Sequence, residues 1–388
     1  MEKEKGKKVF VGLSGGVDSS VSATLLKKQG YDVVGVFIKV WQPEFVRCDW
    51  REDRLDAMRV CAKLEIPFLD LDLEEEYKRE VFDYMIREYR GGRTPNPDVM
   101  CNKSIKFGGF LKFALKNGAD FIATGHYACL EKEEFPISDF QLVDKNTFVA
   151  QKTNSLPNHS IKYIKYRLLA GVDKNKDQSY FLWTLTQEKL KHILFPVGDL
   201  EKIEVRKLAK KFNLLTAEKR DSQGLCFVGE VEMKDFLKRF LPEKKGNVLN
   251  EKGEIIGEHK GVYYYTFGQR HNFLITSKTP QDKPYFVVDK NVEKNTIIVS
   301  QKMRESQIFD KKEVIIKGIN WIIGKEPDLK KKYQARIRYR QNLQKCEIFR
   351  KSNDKYKIVF DKPQKAVSSG QSLVLYDGDV CLGGGVLS

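Results

Sequence analysis

The chain has 388 residues, too many for one comfortable core, and a 41% hydrophobic content that supports two or three globular domains. Lys and Arg outnumber Asp and Glu by 69 to 53, a formal charge of +16; this favours a polyanionic partner, although a Lys-rich surface alone gives the same surplus. No apolar run reaches the ~18 residues of a membrane span, and the charged start, Met1 to Lys8, leads into no signal-peptide apolar segment, so a cytoplasmic protein without membrane contact is expected.

The first element is the apolar run Val9-Phe10-Val11, read as a strand. It leads into Gly12-Leu13-Ser14-Gly15-Gly16-Val17-Asp18-Ser19-Ser20 and then Val21, Ala23, Leu25 and Leu26, read as a helix from about Ser19. Gly15 and Gly16 allow positive φ and close approach of backbone to an anion, while the helix start offers unpaired N–H groups and a partial positive charge. Ser14, Asp18, Ser19 and Ser20 can add hydroxyls and a cap. The run has neither the Gly-Lys-Ser/Thr of a Walker loop nor the Gly-x-Gly-x-x-Gly of a dinucleotide fold; an ordinary strand, turn and capped helix is the plain alternative.

Asp32 to Ile38 predicts the next strand, and Leu55, Met58, Cys61, Ala62 and Leu64 recur at helical spacing. Ile66 to Leu73 reads as a strand. Tyr77, Val81, Tyr84, Met85 and Tyr89 mark a helix ending at Gly91-Gly92. Gly108 to Asn117 reads as a helix closed by Gly118, and Ala119 to Gly125 as a strand. This alternation predicts an α/β fold with a parallel, helix-covered sheet. Ligands of such sheets bind beyond the carboxyl ends of the strands, where Ser14, Ile38, Gly125 and His126 fall.

Thr94-Pro-Asn-Pro-Asp-Val-Met-Cys101-Asn-Lys-Ser-Ile-Lys-Phe107 places two prolines around Asn96, then a carboxylate, Asp98, and a thiol three residues apart. Prolines stiffen such a turn. If Cys101 sits at a helix start near Lys103 and Lys106, its thiolate is favoured and Asp98 can take or hold a proton. A helix cap followed by an inward-facing cysteine explains the same residues, and a nearby Asp disfavours a thiolate. The seven cysteines include no Cys-x-x-Cys pair, so neither a zinc site nor a disulfide framework is expected.

Residues 131 to 165 interrupt the rhythm and read as an irregular excursion or a hairpin. Lys176-Asp-Gln-Ser-Tyr-Phe-Leu182 is a polar cluster with an apolar anchor, suited to reading a base edge or to starting a helix. From Thr186 to Leu241, three groups recur at helical spacing: Leu190, Ile193 and Leu194, then Val205, Leu208, Ala209 and Phe212, then Phe236, Leu237 and Phe240. They predict a small helical domain. Asp221-Ser-Gln-Gly-Leu-Cys226-Phe-Val-Gly229 sets a second notable cysteine beside a glycine; its Leu and Phe neighbours equally suit a core position. After Pro242 and Gly246, runs such as Val262 to Thr266, Tyr285 to Val288, Thr296 to Ser300 and Ser372 to Tyr376 predict a small β-barrel or sandwich. The expected boundaries are therefore 1–185, 186–241 and 242–388. Tyr333 to Arg340 alternates as a strand with Gln334, Arg336, Arg338 and Arg340 on one face, which suits phosphate contacts along RNA or a solvated edge.

The loop at Gly12 to Ser20 resembles the PP-loop, Ser-Gly-Gly-x-Asp-Ser, of enzymes that split ATP between its α and β phosphates. Nearly the whole chain resembles the bacterial-type tRNA-specific 2-thiouridylases. The matching segments are that loop, Arg93 to Phe107, Thr124-Gly-His-Tyr-Ala128, Lys176 to Leu182, Asp221 to Gly229, Tyr264 to Arg270, Arg336 to Gln341 and Cys381 to Gly385. The resemblance implies a PP-loop ATP-binding and catalytic domain over 1–185, a central helical tRNA-binding domain over 186–241 and a C-terminal β-barrel over 242–388. It implies that Gly12, Leu13, Ser14, Gly15, Gly16, Val17, Asp18, Ser19, Ile38 and Gly125 bind ATP, with Mg2+ on the phosphates. Asn96, Pro97 and Asp98 would meet the target uridine, Asp98 also managing its proton, with Cys101 as nucleophile and Cys226 as persulfide carrier. His126, Lys176, Asp177, Gln178, Arg338, Tyr339 and Gln371 would contact the tRNA. The implied partners of a monomer are tRNA and a sulfur-donor protein, either a cysteine desulfurase or a sulfur-relay protein. Two rivals keep part of the pattern. One is a small-molecule adenylating ligase of the amidotransferase or argininosuccinate synthase type, the other an RNA-binding module with a vestigial nucleotide site.

Overall fold

The computed structural model describes residues 6–45, 50–136, 140–144, 147–150, 162–220, 233–276, 282–301, 311–365 and 367–388. Its first unit is a parallel sheet of β1 (Lys8–Gly12), β2 (Asp32–Lys39), β3 (Phe68–Asp72), β4 (Phe121–Ala123) and the short strand Ile193–Leu194. The order is β3-β2-β1-β4, with Ile193–Leu194 outside β4. Runs such as Val9-Phe10-Val11 become central strands because helices cover both faces and alternation is not needed. The chain steps outward from β1 to β3 and then returns past β1 to β4. A topological switch therefore lies between the carboxyl ends of β1 and β4, the place where ligands bind such sheets.

α1 (Val17–Gln29) follows β1, and α2 (Trp50–Leu64) follows β2. α2 turns Ala57, Val60 and Cys61 inward and leaves Leu55 and Met58 exposed, so the expected stripe is displaced around the helix. Gly35 of β2 decides this: a side chain there would overlap the Cys61 sulfur, so its absence lets Cys61 lie flat on the sheet. The helix expected from Gly108 begins earlier, at Pro97. Its stretch Cys101–Phe110 is π-helical, as is Lys78–Phe82 in the helix before it.

The helical domain expected over 186–241 is not a separate body. Ile193–Leu194 pairs with β4, and the helix Lys202–Lys211 lays Val205 and Ala209 in one core with Val17 and Val21 of α1. The apolar stripe read from the sequence is real, but its partner is α1. The helix Met233–Lys238 carries Phe236 onto Phe82, ring centres 6.0 Å apart.

The β region expected as one body over 242–388 divides in two. Gly246–Leu249, Ile255–His259, Leu274–Ile275, Phe286–Asn291 and Thr296–Ser300 form one five-stranded sheet. Val262–Tyr264, expected to be strand, is a 3-10 turn; the Tyr263 and Tyr264 hydroxyls donate to the carbonyls of Pro242 and Leu241. Six antiparallel strands from Lys311–Trp321 to Val380–Leu387 then close into a barrel, because the first and last also pair. Ile316, Ile348, Ile358, Phe360 and Leu373 fill it. Ala128–Pro136 and Lys162–Ala170 form a long hairpin, the second of the two readings of that stretch, and Leu169 joins the barrel sheet at Val380. Among the described residues no helix is long and apolar enough to cross a membrane.

Candidate active site at the sheet edge

β1 ends at Gly12, and the chain turns through Gly15, φ +69°, into α1. A side chain at Gly15 would overlap the Asp53 carbonyl of α2, so space as well as φ requires glycine there. Gly16 is the N-cap, and no side chain caps α1, contrary to the cap anticipated from Ser14, Asp18, Ser19 or Ser20. The hydroxyls are used otherwise: Ser19 and Ser20 donate to the Gly16 carbonyl at 3.2 and 2.7 Å, and the Ser14 amide donates to Ser19 Oγ at 3.3 Å. The first turn of α1 therefore meets an incoming anion with backbone amides.

β4 delivers Thr124, Gly125 and His126 beside this turn. A Cβ on Gly125 would lie 2.8 Å from the Ser19 nitrogen and 2.9 Å from the Asp18 carbonyl carbon. Ile38 on β2 is buried, and its Cδ1 would lie 3.9 Å from a Cβ placed on Gly12. Asp18 Oδ1 accepts from the Tyr127 hydroxyl at 2.8 Å and Lys202 Nζ at 2.6 Å, and Oδ2 accepts from Lys202 Nζ at 2.8 Å. The Tyr127 amide donates to Gln178 Oε1 at 3.0 Å, and the Gln178 amide returns a bond to the Tyr127 carbonyl at 2.8 Å. The Lys202 amide donates to the Asp173 carboxylate at 3.1 Å. Asp18, Tyr127, Gln178 and Lys202 are thus one connected unit. Local sequence marks Asp18 and Gln178, but gives no signal for a lysine 184 positions from its carboxylate.

Asn96 caps the helix that carries Cys101, its Oδ1 accepting from the Val99 amide at 3.3 Å, with Pro97 at the first helical position. Asp98 sits in that first turn, where the helix end favours a carboxylate. Cys101 is fully buried at the start of the π-helical stretch, beyond the first turn. The helix-start field anticipated for its thiolate fades before reaching it. Asn102 Nδ2 donates to the Phe181 carbonyl at 3.3 Å, and Phe107 packs on the His126 ring at 5.6 Å, seating this helix against the end of β4. The barrel supports the other side. Gln371 Nε2 donates to the Thr94 and Pro95 carbonyls, both at 2.9 Å, and the Thr94 amide donates to the Ser369 carbonyl at 2.8 Å.

Cys226 lies outside the described residues. The chain approaches that stretch at Lys219, whose ammonium meets Asp53 at 2.7 Å and Asp56 at 2.6 Å behind Gly15. It returns at Met233–Lys238; Phe240, just past this helix, lies 6.5 Å from Trp41, beyond the end of β2. Both ends lie on the carboxyl side of the sheet.

Residues 7–230 match the tRNA methyl transferase HUP domain, 234–301 the tRNA methyl transferase PRC-barrel domain and 311–387 the aminomethyltransferase beta-barrel domain. Those ranges coincide with the parallel-sheet unit and the two β units. The tRNA-specific 2-thiouridylase MnmA of Francisella tularensis subsp. novicida is 43% identical over 386 residues, covering 99% of this chain and 99% of the relative. That of Francisella philomiragia subsp. philomiragia is 43% identical over 384 residues, covering 98% and 99%. The chain belongs to the tRNA-specific 2-thiouridylase family.

The structure sorts the residues that the family resemblance assigns to tRNA. Lys176 lines a groove of about 500 Å³ between residues 174–177 and 340–343, together with Lys174 and Arg340. Arg338 is exposed at a turn, and Tyr339 stacks on Phe181 at 4.6 Å. Asp177 and Arg336 instead face each other in the interior, their side chains 4% and 8% exposed. Asp177 Oδ1 accepts the amides of Gly171 at 3.1 Å and Ser179 at 3.0 Å, while Arg336 donates to the Tyr376 hydroxyl at 2.7 Å. The strand stops at Arg336, because the chain turns where Gln341 Oε1 accepts the Ile337 amide at 2.9 Å; the expected one-sided row of arginines is broken. His126 is buried between Phe107 and Phe195, with Nδ1 2.8 Å from Thr124 Oγ1. Burial, with a smaller effect of the Lys106 charge, lowers its pKa well below the usual value, so it is neutral at neutral pH. The Gln371 amide nitrogen is committed to the backbone before Asn96.

Asp177→Ala strands a buried guanidinium and two amides, and is expected to lower the unfolding free energy by about 3–5 kcal/mol, read from urea denaturation. A loss below about 1 kcal/mol would mean that the pair is not a structural anchor. Gly125→Ala pushes backbone against backbone and is expected to cost about 1–3 kcal/mol while weakening ATP binding; unchanged stability and affinity would refute the close-approach argument.

Proposed function

We propose that this protein is an ATP-dependent tRNA uridine 2-sulfurtransferase that converts the wobble uridine to 2-thiouridine. The observation that carries this reading is that the helix of Asp98 and Cys101 lays Phe107 on His126 at the end of β4 and Phe110 beside Gly12, in a chain aligned end to end with 2-thiouridylases. The C2 carbonyl of uridine is a poor electrophile and its oxygen a poor leaving group. Adenylation answers both: uridine O2 bonds to the α-phosphorus of ATP, the bond from that phosphorus to the α–β bridging oxygen breaks, and its electron pair leaves on pyrophosphate. The N3 proton passes to Asp98. Gly12 to Ser19, with Ile38 and Gly125, hold the nucleotide. Magnesium, which neutralises phosphate charge, would be held by the phosphates; the Asp18 carboxylate accepts from Lys202 and Tyr127 and would join it only by giving up that ammonium.

Sulfur arrives from a donor protein as a persulfide on Cys226. Its terminal sulfur bonds to C2, and AMP departs with O2 and the electron pair of the C–O bond. The Cys101 thiolate then takes the Cys226 Sγ, the S–S bond breaks toward the transferred sulfur, and a C2=S bond forms as Asp98 returns the proton to N3. In the alternative order Cys101 attacks the persulfide first and frees hydrosulfide to attack C2. Either order leaves a Cys101–Cys226 disulfide that two electrons must reduce before the next turnover. The target base must leave its stack to reach this pocket, and the basic groove beside Lys174, Lys176 and Arg340 is a path for the phosphates that flank it.

Radiolabelled sulfur transfer to unmodified tRNA, with ATP, magnesium and a cysteine desulfurase, is expected for the wild type and lost in both Cys101→Ser and Cys226→Ser. Activity surviving in either variant removes that cysteine from the mechanism. No thiolation with a proven donor moves the ligase reading forward. Gln371→Ala is expected to lower turnover about tenfold while tRNA affinity shifts less than about twofold, because it loosens the Asn96 turn; a selective loss of affinity would instead make Gln371 an RNA contact.

A further inference from the structure

Lys290, in the strand Phe286–Asn291, is a cation without an anion. Its ammonium donates to the Tyr265 carbonyl at 2.7 Å and lies 5.8 Å from the centre of the Phe267 ring, and among the described residues no carboxylate meets it. The neighbouring Asp289 turns Oδ1 to the Lys290 amide, at 2.8 Å, instead. The side chain is half-buried, and burial lowers its pKa to about 8, so it is still charged at neutral pH. A cation drawn from water with no opposite charge costs free energy that an arriving anion would return. Its position ties it to the turn of Asn96. Gly92, at φ +72°, has no Cβ; one placed there would overlap Val292 and lie 4.0 Å from Lys290 Cε. From Gly92 to Asn96 is four residues, at most about 14 Å of extended chain. Arg93, within that stretch, is by contrast already held by Glu88 at 2.6 and 2.8 Å.

We propose that Lys290 binds a backbone phosphate of the tRNA close to the base that enters at Asn96. A phosphodiester is ionised at neutral pH, and an ammonium has three donors, of which the Tyr265 carbonyl takes one, so a phosphate oxygen can be met without breaking that bond. Because the stem of Lys290 packs beside Gly92, the phosphate would be held at a set distance from the Asn96 turn. Contacts of this kind fix the register of an RNA without reading its sequence. The five-stranded β sheet, which supplies none of the residues assigned to ATP, uridine or tRNA, thereby takes a part in placing the target base. The inference rests on the reading of this chain as a tRNA uridine sulfurtransferase.

The test is equilibrium binding of an anticodon stem-loop RNA to the full-length protein, wild type against Lys290→Met, which keeps the stem, and Lys290→Arg, which keeps the charge. Each variant is checked for an unchanged melting profile. Lys290→Met is expected to weaken the RNA about fivefold to tenfold and to reduce the slope of log affinity against log salt by about one, with Lys290→Arg restoring most of both. Replacing the phosphates that flank the wobble uridine one at a time by neutral methylphosphonates identifies the contact. One position should weaken the wild type and leave Lys290→Met unaffected, because the two changes remove the same interaction. If Lys290→Met melts early, acetylation of wild-type lysines decides the matter: bound RNA should protect Lys290, and equal labelling with and without RNA refutes the contact. Unchanged affinity and salt slope, or losses that add at every phosphate position, would overturn the proposal and leave Lys290 as a prop for the Tyr265 carbonyl. Unchanged RNA affinity with thiolation lost would place the anion on another partner and overturn it equally. A wild type that binds no RNA would overturn the tRNA reading itself.

Discussion

Backbone pressed on backbone sets the distance between Gly125 and the first turn of α1, and the arrangement of the site follows from that distance. Because residue 125 has no side chain, the end of β4 lies against Asp18 and Ser19. Two residues later the chain places the Tyr127 hydroxyl on Asp18 and the Tyr127 peptide against Gln178. The turn holding Lys176, Asp177 and Gln178 is thereby registered to the phosphate loop. A larger residue at 125 would displace this whole series together, since each member is held by the one before it.

From the same turn the registration passes into the barrel. The Tyr180 hydroxyl donates to the carbonyls of Ile337 and Ser372, and Trp183 donates to Ser372 Oγ. Beside them lies the buried pair of Asp177 and Arg336. A well-packed apolar pair of similar volume would often be as stable as two buried charges. It would not satisfy the Gly171 and Ser179 amides or the Tyr376 hydroxyl, each of which costs free energy if buried without a partner. The ion pair is thus better understood as a specification of where the turn sits on the barrel than as a source of net stability. Gln371 does the same for the turn before Asn96, so the barrel sets the position of both turns.

Local signals in the sequence revealed the parallel sheet and the glycine turn into α1, and offered the capped helix of Cys101 as one of two readings, because glycines, prolines and unbroken apolar strands act over a few residues. Partners distant in the chain were not legible. The stripe of Val205 and Ala209 announced a helix but not that α1 is what it covers. Asp177 and Arg336 both carried the composition of surface residues, and only their pairing across 159 positions explains their burial. The alternation from Tyr333 to Arg340 looked like one strand because a turn stabilised by a glutamine side chain, Gln341, carries no strong local mark. The burial of His126 was not legible for a related reason: whether a histidine next to a loop faces solvent or lies between two phenylalanines depends on helices from elsewhere in the chain.

The charges divide into two populations with different physical work. Around the nucleotide loop each cation has a named carboxylate, Lys202 with Asp18 and Lys219 with Asp53 and Asp56, at short range and partly shielded from solvent. Such pairs shape a compact site and respond weakly to ionic strength, because screening acts mainly on separated, exposed charges. Along the groove, Arg340 is exposed at a turn and Lys176 is half-buried, while Lys174 pairs with Asp379 at 2.7 Å, within a chain whose formal charge is +16. Those charges gain by displacing the counterions of a polyanion, a term that weakens as salt rises. The glycine loop is thus surrounded by compensated pairs while the groove keeps exposed positive charge, and Tyr127 with Gln178 forms the physical link between the two.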